Sequence, residues 1–243
     1  MSGAVASEPM AAAPDLWVVH LPRLPYGEGL ALQERVRDAR EAERIPDTLL
    51  VLEHEPVYTR GRRSDPSELP LGEDWYAARG IEIVDVDRGG KVTYHAPGQV
   101  VAYPIVRTAD VVEHVRTLER AMIAALAEEG VAARSRADEG ADYTGVWVGE
   151  RKIGSIGVHV RRGIATHGLA LNADMDLEPW TWIVPCGLTV PMTSLAAETG
   201  RTGPLLPCLR RRLAHAYARE TQRRQRLVTP ARLERELALV WAA

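Results

Sequence analysis

The chain has 243 residues, a formal net charge of −3 and 26% charged side chains, which suits one large domain with a substantial core. This charge balance does not point to nucleic acid, no segment approaches the roughly 20 apolar residues of a membrane-spanning helix, and two cysteines cannot form a disulfide framework. We therefore expect a soluble cytoplasmic protein that binds neither nucleic acid nor membrane, with residues 1–14 as a disordered leader and residues 15–243 as a single domain.

The first half of the chain predicts short buried strands around one charged helix. Runs of valine, leucine and tryptophan predict strands, and helical spacing predicts a helix over residues 27–43. A second, short helix is expected over residues 73–78. Residues 91–106 run apolar around Pro97 and Gly98 and predict a strand hairpin. The remaining predicted strands lie at residues 16–21, 48–53 and 81–86.

The second half predicts antiparallel strands followed by helices. Residues 111–129 form an amphipathic helical pattern stopped by Gly130, and an extended piece is expected over residues 131–136. Alternating valines, isoleucines and glycines in residues 143–171 are typical of adjacent antiparallel strands with tight turns. The chain ends in two predicted helices, over residues 204–221 and 230–241. Together these elements predict one α/β or α+β domain, a mixed sheet with flanking helices.

Cys186 is a candidate nucleophile because it lies in WIVPCGL, between a proline and a glycine. Glycine leaves room for a substrate, and neighbouring backbone N–H groups can stabilise an oxyanion. The alternative is a buried structural cysteine, which is how we interpret Cys208 in the leucine-rich LLPCLRRRL. A thiol also needs a cation or a base beside it to ionise at neutral pH.

Lys152 is the candidate base for that thiol. Only two of the 30 basic residues are lysines, Lys91 and Lys152, and a desolvated lysine can lose its proton whereas arginine cannot. Alternation in KIGSIGVHV predicts that Lys152 shares a face with Gly154 and Ile156, which would desolvate the amine and lower its pKa. His159 falls on the opposite face. The alternative is a lysine at a strand end whose amine reaches solvent.

The stretch RGGKVTYHAPGQVVAYPI, residues 88–105, predicts the wall of a small-ligand pocket. Paired glycines allow a ligand to approach the backbone closely, and Arg88 can bind a carboxylate or phosphate. The spacings of a P-loop and of a dinucleotide-binding loop are absent from the sequence. Lys91 is expected to face solvent near this pocket. The alternative interpretation is an ordinary hairpin with a glycine turn.

Together, and in this order, these stretches resemble the lipoyl(octanoyl) transferase family of lipoate assembly. Residues 88–103 satisfy the family's signature, which is RGG, two residues, T, an aromatic residue, H, two residues, G, Q and then a tyrosine. The similarity continues in LLVLEHEPVYTRGRR (49–63), KIGSIGVHVRRGIATHGLALN (152–172) and VPCG (184–187), and covers about residues 16–200. Val184 replaces a frequent asparagine, and the chain has no phenylalanine. Aromatic pocket roles would fall to Tyr58, Tyr94 and Trp182.

The resemblance implies the fold of the biotin and lipoate protein ligase catalytic domain, a mixed sheet with helices on one side. It also implies transfer of an octanoyl or lipoyl group from acyl carrier protein to a lysine of a lipoyl domain, without ATP, cofactor or metal. Cys186 would carry the acyl thioester, and Lys152 would lower its pKa and move its proton. The implied acceptors are the lipoyl domains of 2-oxoacid dehydrogenases and the glycine cleavage H protein, and we expect a monomer. The positions that correspond to substrate contacts are Arg88, Gly89, Gly90, Lys91, Val92, Thr93, Tyr94, His95, Ser155, Ile156, Gly157, Gly168, Leu169 and Ala170.

Three other functions stay open, one of them a transferase that acts on a carrier other than the fatty-acid one. TRGRR, residues 59–63, resembles part of the loop with which biotin ligases hold an adenylate, so an ATP-dependent lipoate or biotin ligase is the main rival. A non-enzymatic protein that binds an acyl chain or a lipoyl domain would tolerate the loss of Cys186 and Lys152. If the chain is the transferase, an acidic carrier is expected to meet arginines at the pocket rim. These arginines are Arg60, Arg62, Arg63, Arg161 and Arg162.

Overall fold

The computed structural model describes residues 13–184 and 190–238, which form two sheets and six α-helices. The strands are β1 (Asp15–Leu24), β2 (Asp47–His54), β3 (Val57–Arg60), β4 (Glu82–Asp85), β5 (Thr93–His95), β6 (Gln99–Ile105), β7 (Arg134–Ser135), β8 (Val146–Val148), β9 (Arg151–Arg161), β10 (Ile164–Asn172) and β11 (Arg224–Leu227). The helices are α1 (Tyr26–Glu41), α2 (Glu73–Ala77), α3 (Val111–Ala127), α4 (Leu195–Thr199), α5 (Leu206–Glu220) and α6 (Pro230–Ala238). Most of the predicted leader, the end of the last predicted helix and Cys186 lie outside the described residues. No helix in the described ranges is both long and apolar enough to cross a membrane.

The larger sheet has eight strands in the order β11-β1-β2-β6-β10-β9-β8-β7. Strand β1 pairs in parallel with β2 and with β11, whereas the pairs from β2 to β7 are antiparallel. The smaller sheet has the order β4-β3-β5. The predicted fold class, a mixed sheet with flanking helices, is confirmed.

Helices cover both faces of the larger sheet. Val51 of β2 packs on one face with α3 and α5, while its neighbours Leu50 and Leu52 pack on the other face with α1 and α6. The expectation of helices on one side is therefore wrong. Both faces are covered because β2 and β6 carry buried side chains at successive positions rather than at alternate ones. Each face of these strands therefore needs a layer of helices over it.

Residues 91–106 form two strands, as predicted, but they do not form a hairpin. Strand β5 pairs with β3 in the smaller sheet, while β6 lies between β2 and β10 in the larger sheet. Gly98, with a φ of 85°, turns the chain, and its carbonyl accepts hydrogen bonds from the N–H groups of Ala173 and Asp174 (3.0 and 3.1 Å). A β-carbon on Gly98 would lie 2.6 Å from the nitrogen of Met175. The turn is thus fastened to the end of β10, and the two strands diverge.

The other predicted elements are present with small changes in their bounds, but β3, α4 and β11 were not predicted. Strand β11 reads RQRL and is a polar edge strand held by parallel pairing with β1. Arg224 and Arg226 also contact the carboxylate of Asp15. The sequence RQRL has no alternation of apolar and polar residues from which a strand could be predicted. Pairing with β1 stabilises this strand, rather than the preference of its own residues. Cys208 lies on α5 and is half-buried, at the margin of the core predicted for it.

Candidate active site

The larger of two adjacent cavities lies at the open edge of β9. Strand β8 pairs with the start of β9, up to Gly154. Further along, the loop between β4 and β5 reaches the same edge, where the Gly89 N–H donates to the Val158 carbonyl over 2.9 Å. Beside these contacts is a cavity of about 280 Å³. Its lining includes the predicted site residues Arg88, Gly89, Gly90, Lys91, Val92, Thr93, Lys152, Ser155, Ile156 and Gly157.

A second cavity, of about 40 Å³, shares a wall with the first. The shared residues are Arg88, Thr93 and residues 155–157. The smaller cavity adds the predicted residues His95, Gly168, Leu169 and Ala170, together with Tyr26, Tyr103 and His167. Tyr94 instead packs in the core of the smaller sheet, with its ring centroid 5.0 Å from that of Tyr58. The structure brings Lys152 and the other predicted substrate-contact positions together, while their roles stay predictions and Cys186 lies outside the described residues.

Several wall residues were missed by sequence reasoning. Tyr26 begins α1 and Trp147 lies on β8, far from the predicted motifs in sequence. Tyr103 closes the family signature but was not assigned to the site. Helix α3 contributes Val111 and Val115. No spacing rule links such residues, because tertiary packing alone brings α1, α3, β6 and β8 to the walls of the two cavities.

Arg88 builds the wall of the cavity from within. Its Nη2 donates to the carbonyl and the hydroxyl oxygen of Thr59, both at 2.7 Å, and its Nη1 donates to the Gly89 carbonyl at 3.1 Å. A β-carbon on Gly157 would lie 2.9 Å from Cδ of Arg88, so the glycine makes room for this side chain. These contacts connect β3 to the loop of residues 88–92, which lies between β4 and β5 and is called the glycine loop below. They differ from the predicted contact of Arg88 with a ligand carboxylate or phosphate.

A β-bulge sets the direction of Lys152. Val146 and Trp147 of β8 pair with Gly154 and Lys152, which leaves Ile153 as an extra residue on β9. Ile153 belongs to the core beneath α3, and a β-carbon on Gly154 would meet the same core. Lys152 therefore points to the opposite face, together with its partner Trp147. The predicted common face of Lys152 and Gly154 is wrong, because the bulge reverses the alternation.

Lys152 is buried at the wall of the larger cavity, with 5% of its surface exposed. Its Nζ lies 5.3 Å from the ring centroid of Trp147, a distance at which the ring attracts a cation. The backbone of Lys152 bonds on both sides to the segment after residue 189, with Lys152 N–H donating to Pro191 and Thr193 N–H donating to Lys152 (3.0 and 2.9 Å). The chain that follows Cys186 is thus fixed to Lys152.

The smaller cavity is polar but carries neutral rings. His54 donates from Nδ1 to the Leu24 carbonyl (2.9 Å), so its Nε2 must accept from the hydroxyl of Tyr103 (2.7 Å). Burial lowers the pKa of His54 to about 4 and, with a contribution from His54, that of His95 to about 3. Burial also raises the pKa of Tyr26 to about 12. Near neutral pH these groups offer hydrogen bonds without net charge.

Asp87 binds two histidines, of which His167 lines the smaller cavity. Its carboxylate oxygens lie 2.7 Å from Nε2 of His167 and 2.5 Å from Nδ1 of His159. Burial lowers the pKa of His167 despite the nearby carboxylate. Burial tends to raise the pKa of Asp87, but the hydrogen bonds with His167 and His159 hold that pKa below its usual value. His167 is buried at the cavity wall, whereas His159 stays partly exposed.

Of the five arginines expected at the rim, Arg62 and Arg63 line the larger cavity. Arg60 is bound by Asp85 and Glu73 (2.6 and 2.7 Å). Residues 161–162 lie at the far end of β9 from Lys152, about 30 Å along the strand at its usual rise per residue. Eight residues separate Arg161 from Lys152, and Arg60, Arg161 and Arg162 are not among the residues that line the cavity, so the structure places only two of the five at its wall.

Within residues 13–184 and 190–238, no group of three or more His, Cys, Asp or Glu side chains is arranged to hold a metal ion.

Comparisons with known proteins agree with this geometry. The family model described as Lipoyl protein ligase A/B catalytic domain matches residues 25–208, which is the class of domain that the sheet and its edge cavities define. The chain is 41% identical over 223 residues to the octanoyltransferase of Thermobifida fusca, covering 86% of this chain and 90% of that protein. It is 46% identical over 194 residues to the octanoyltransferase of Mycolicibacterium smegmatis, covering 76% and 80%. The chain belongs to the octanoyltransferase family, as its motifs predict.

Solved structures share the fold at much lower identity. A bi-partite lipoate protein ligase studied with its E2 lipoyl domain, from Thermoplasma acidophilum, gives a TM-score of 0.68 at 16% identity and covers 95% of this chain and 92% of that chain. Lipoate-protein ligase A bound with ATP gives a TM-score of 0.67 at 16% identity and covers 95% and 94%. At these identities the likeness shows the fold alone.

Proposed function

We propose that this chain transfers an octanoyl or lipoyl group from acyl carrier protein to a lysine of a lipoyl domain, through a thioester on Cys186. The observation that carries the proposal is the position of Lys152. Its side chain is buried at the larger cavity, and its backbone is bonded to the segment that follows Cys186. An amine that can accept a proton is thereby tied to the chain that carries the thiol.

In the first half-reaction, Lys152 accepts the proton of the Cys186 thiol, and the thiolate attacks the carbonyl carbon of the acyl thioester. The bond between that carbon and the carrier's sulfur breaks, and the released thiolate takes the proton back from Lys152. A backbone N–H at Cys186 stabilises the oxyanion in between, since the ladders with β6 and β9 take up the N–H groups of Leu169 and Ala170. The acyl group then resides on Cys186.

In the second half-reaction, the amine of the acceptor lysine attacks the Cys186 thioester. The carbon–sulfur bond breaks, an amide bond forms, and Lys152 relays a proton from the attacking amine to the cysteine sulfur. The free thiol is restored. Because a thioester is already activated toward an amine, the reaction needs no ATP.

The cavity walls suit a medium acyl chain. Ile156, Val158 and Val115 contribute apolar surface to the larger cavity, and the neutral rings of the smaller cavity place no charge beside a hydrocarbon. The acceptors in this proposal are the lipoyl domains of 2-oxoacid dehydrogenases and the glycine cleavage H protein. A cytoplasmic monomer, folded as a single domain over residues 15–243, also belongs to the proposal.

The rival ATP-dependent ligase has less support. In residues 59–63, the segment that resembles an adenylate loop, the side chain of Arg60 is engaged by Asp85 and Glu73. The relatives at 41% and 46% identity are octanoyltransferases, whereas the likeness to lipoate ligases is a likeness of fold at 16% identity.

The test is a mass spectrum of the full chain after mixing with octanoyl-acyl carrier protein and no ATP. We expect one octanoyl adduct, sensitive to hydroxylamine, that disappears in Cys186→Ala and persists in Cys208→Ala. An adduct that survives Cys186→Ala but needs Cys208 would refute the nucleophile. Transfer of free octanoate that depends on ATP would instead favour the ligase.

A further inference from the structure

Glu68 connects the two segments that carry the candidate chemistry. It ends a single helical turn, Pro66–Glu68, and only 3% of its surface is exposed. Its Oε2 accepts a hydrogen bond from the Val92 N–H (3.0 Å), in the glycine loop. Its backbone carbonyl accepts one from the Val184 N–H (3.0 Å), two residues before Cys186. One residue therefore bonds both to the glycine loop and to the segment that leads to Cys186.

The turn itself does not require this carboxylate. Pro66 occupies the first position, and the side chain of Asp65 caps the turn by accepting from the Ser67 N–H at 2.9 Å. A buried carboxylate is costly unless hydrogen bonds or a counter-ion compensate for its lost hydration. The cost of burying the Glu68 carboxylate is therefore compensated by its contacts with residues 91 and 92 outside the turn.

Lys91 supplies the counter-ion. Its Nζ lies 3.7 Å from Oε1 of Glu68, and its side chain is 26% exposed. The expectation that Lys91 simply faces solvent is therefore wrong. Lys91 lies in the glycine loop, directly before Val92, whose N–H donates to Glu68. The charge of Lys91 is therefore beside the nearly buried carboxylate.

We propose that Glu68 is a positioning residue, which holds the loop of residues 88–92 at a set distance from the segment that enters Cys186, with Lys91 as its counter-ion. This inference rests on the proposed function, because it assumes that Cys186 carries the acyl group. Misplacement of reacting atoms by about 1 Å can cost about 100-fold in rate, so a residue that connects the glycine loop to the approach to Cys186 controls the chemical step more than substrate binding.

The experiment compares Glu68→Ala and Glu68→Gln in the full chain with Glu129→Gln as a matched control. Glu129 is also a buried glutamate, bound by Arg201 (2.6 Å) and by Arg212, but it lies just after α3, outside the lining of the cavities. Single-turnover acylation of Cys186 by octanoyl-acyl carrier protein, kcat, KM and the melting temperature are measured for each variant.

We expect Glu68→Ala to slow acylation about 10- to 100-fold with KM changed less than threefold. Glu68→Gln keeps an acceptor for the Val92 N–H but loses the ion pair, and we expect it to slow acylation about threefold or more. Glu129→Gln should lower the melting temperature and leave acylation within twofold of the wild type. A loss confined to melting temperature is what a merely structural role of Glu68 would produce.

Acylation at the wild-type rate by folded Glu68→Ala overturns the inference. If that variant does not fold, Glu68→Gln decides in the same way. A wild-type chain that forms no adduct on Cys186 refutes the proposed function itself, so the two failures are distinguishable.

Discussion

The two cavities share one wall, yet their electrostatics differ. The larger one is lined by cationic side chains, among them Lys152, Arg62 and Arg63. The smaller one contains the imidazole of His95, which burial keeps neutral, and the hydroxyl-bearing rings of Tyr26 and Tyr103. Under the proposed function, charge thus lies beside the base that would ionise the thiol, at the cavity that a carrier would approach. The neutral rings of the smaller cavity are where an uncharged chain would extend, while Arg88, Thr93 and residues 155–157 line both cavities.

Replacing Lys152 should produce the largest effect, because it removes the proton acceptor from the charged cavity. We expect Lys152→Arg to keep the charge yet slow acylation of Cys186 about 100- to 10,000-fold, since arginine cannot release its proton at a working pH. Rapid-quench mass spectrometry of the adduct measures this. An unchanged melting temperature shows that the variant is folded, and near-normal acylation by folded Lys152→Arg would remove Lys152 from the mechanism.

The buried neutral histidines at and behind the smaller cavity should make the free energy of unfolding depend on pH. A histidine whose folded pKa lies below the unfolded value near 6.5 stabilises the fold fully above pH 6.5, and this stabilisation is lost as the pH falls toward the folded pKa. For His54 and His95, with folded values of about 4 and about 3, we expect the free energy of unfolding to fall by about 1.4 kcal/mol per pH unit for each histidine below pH 6. Urea unfolding from pH 7 to pH 5 measures the slope, and His54→Gln should reduce it. A flat profile would contradict neutral burial.

The wall of the smaller cavity should tolerate no added methyl group at Gly168. A β-carbon there would lie 2.3 Å from the carbonyl oxygen of Ala102. We expect Gly168→Ala to destabilise the fold by about 1–3 kcal/mol. Gly27→Ala is the control, because no atom lies within 4 Å of a β-carbon at that position in α1 and alanine favours a helix. Equal stability of the two variants in urea would show that the wall can yield.

The smallest effect is expected at the rim of the charged cavity. Reversal of Arg62 and Arg63 to glutamate should lower kcat/KM for an acidic carrier about 3- to 10-fold at low salt, and added salt should shrink the difference. The same reversal at Arg161 and Arg162, at the far end of β9, is the matched control. If both pairs have the same effect, net charge rather than local docking is responsible.

Local sequence patterns predicted much of the fold but less of the site's geometry. The helix over residues 111–129 and the antiparallel strands of residues 143–171 follow from periodicity, since each depends on its own residues. The hairpin around Gly98 was wrong because the partners of β5 and β6 come from elsewhere in the chain. Lys152 was expected on the face of Gly154, and a single bulged residue reversed it.

The sequence by itself determined the family and many of the residues that line the cavities, because these are written in contiguous motifs at set spacings. It also indicated Lys152 as a candidate base, because only two of the 30 basic residues are lysines. Only the tertiary structure showed that Arg88 bonds to Thr59, that Glu68 binds both the glycine loop and the approach to Cys186, and that the histidines of the smaller cavity are neutral. Those features arise from burial and from contacts between residues distant in the chain, which no local pattern encodes.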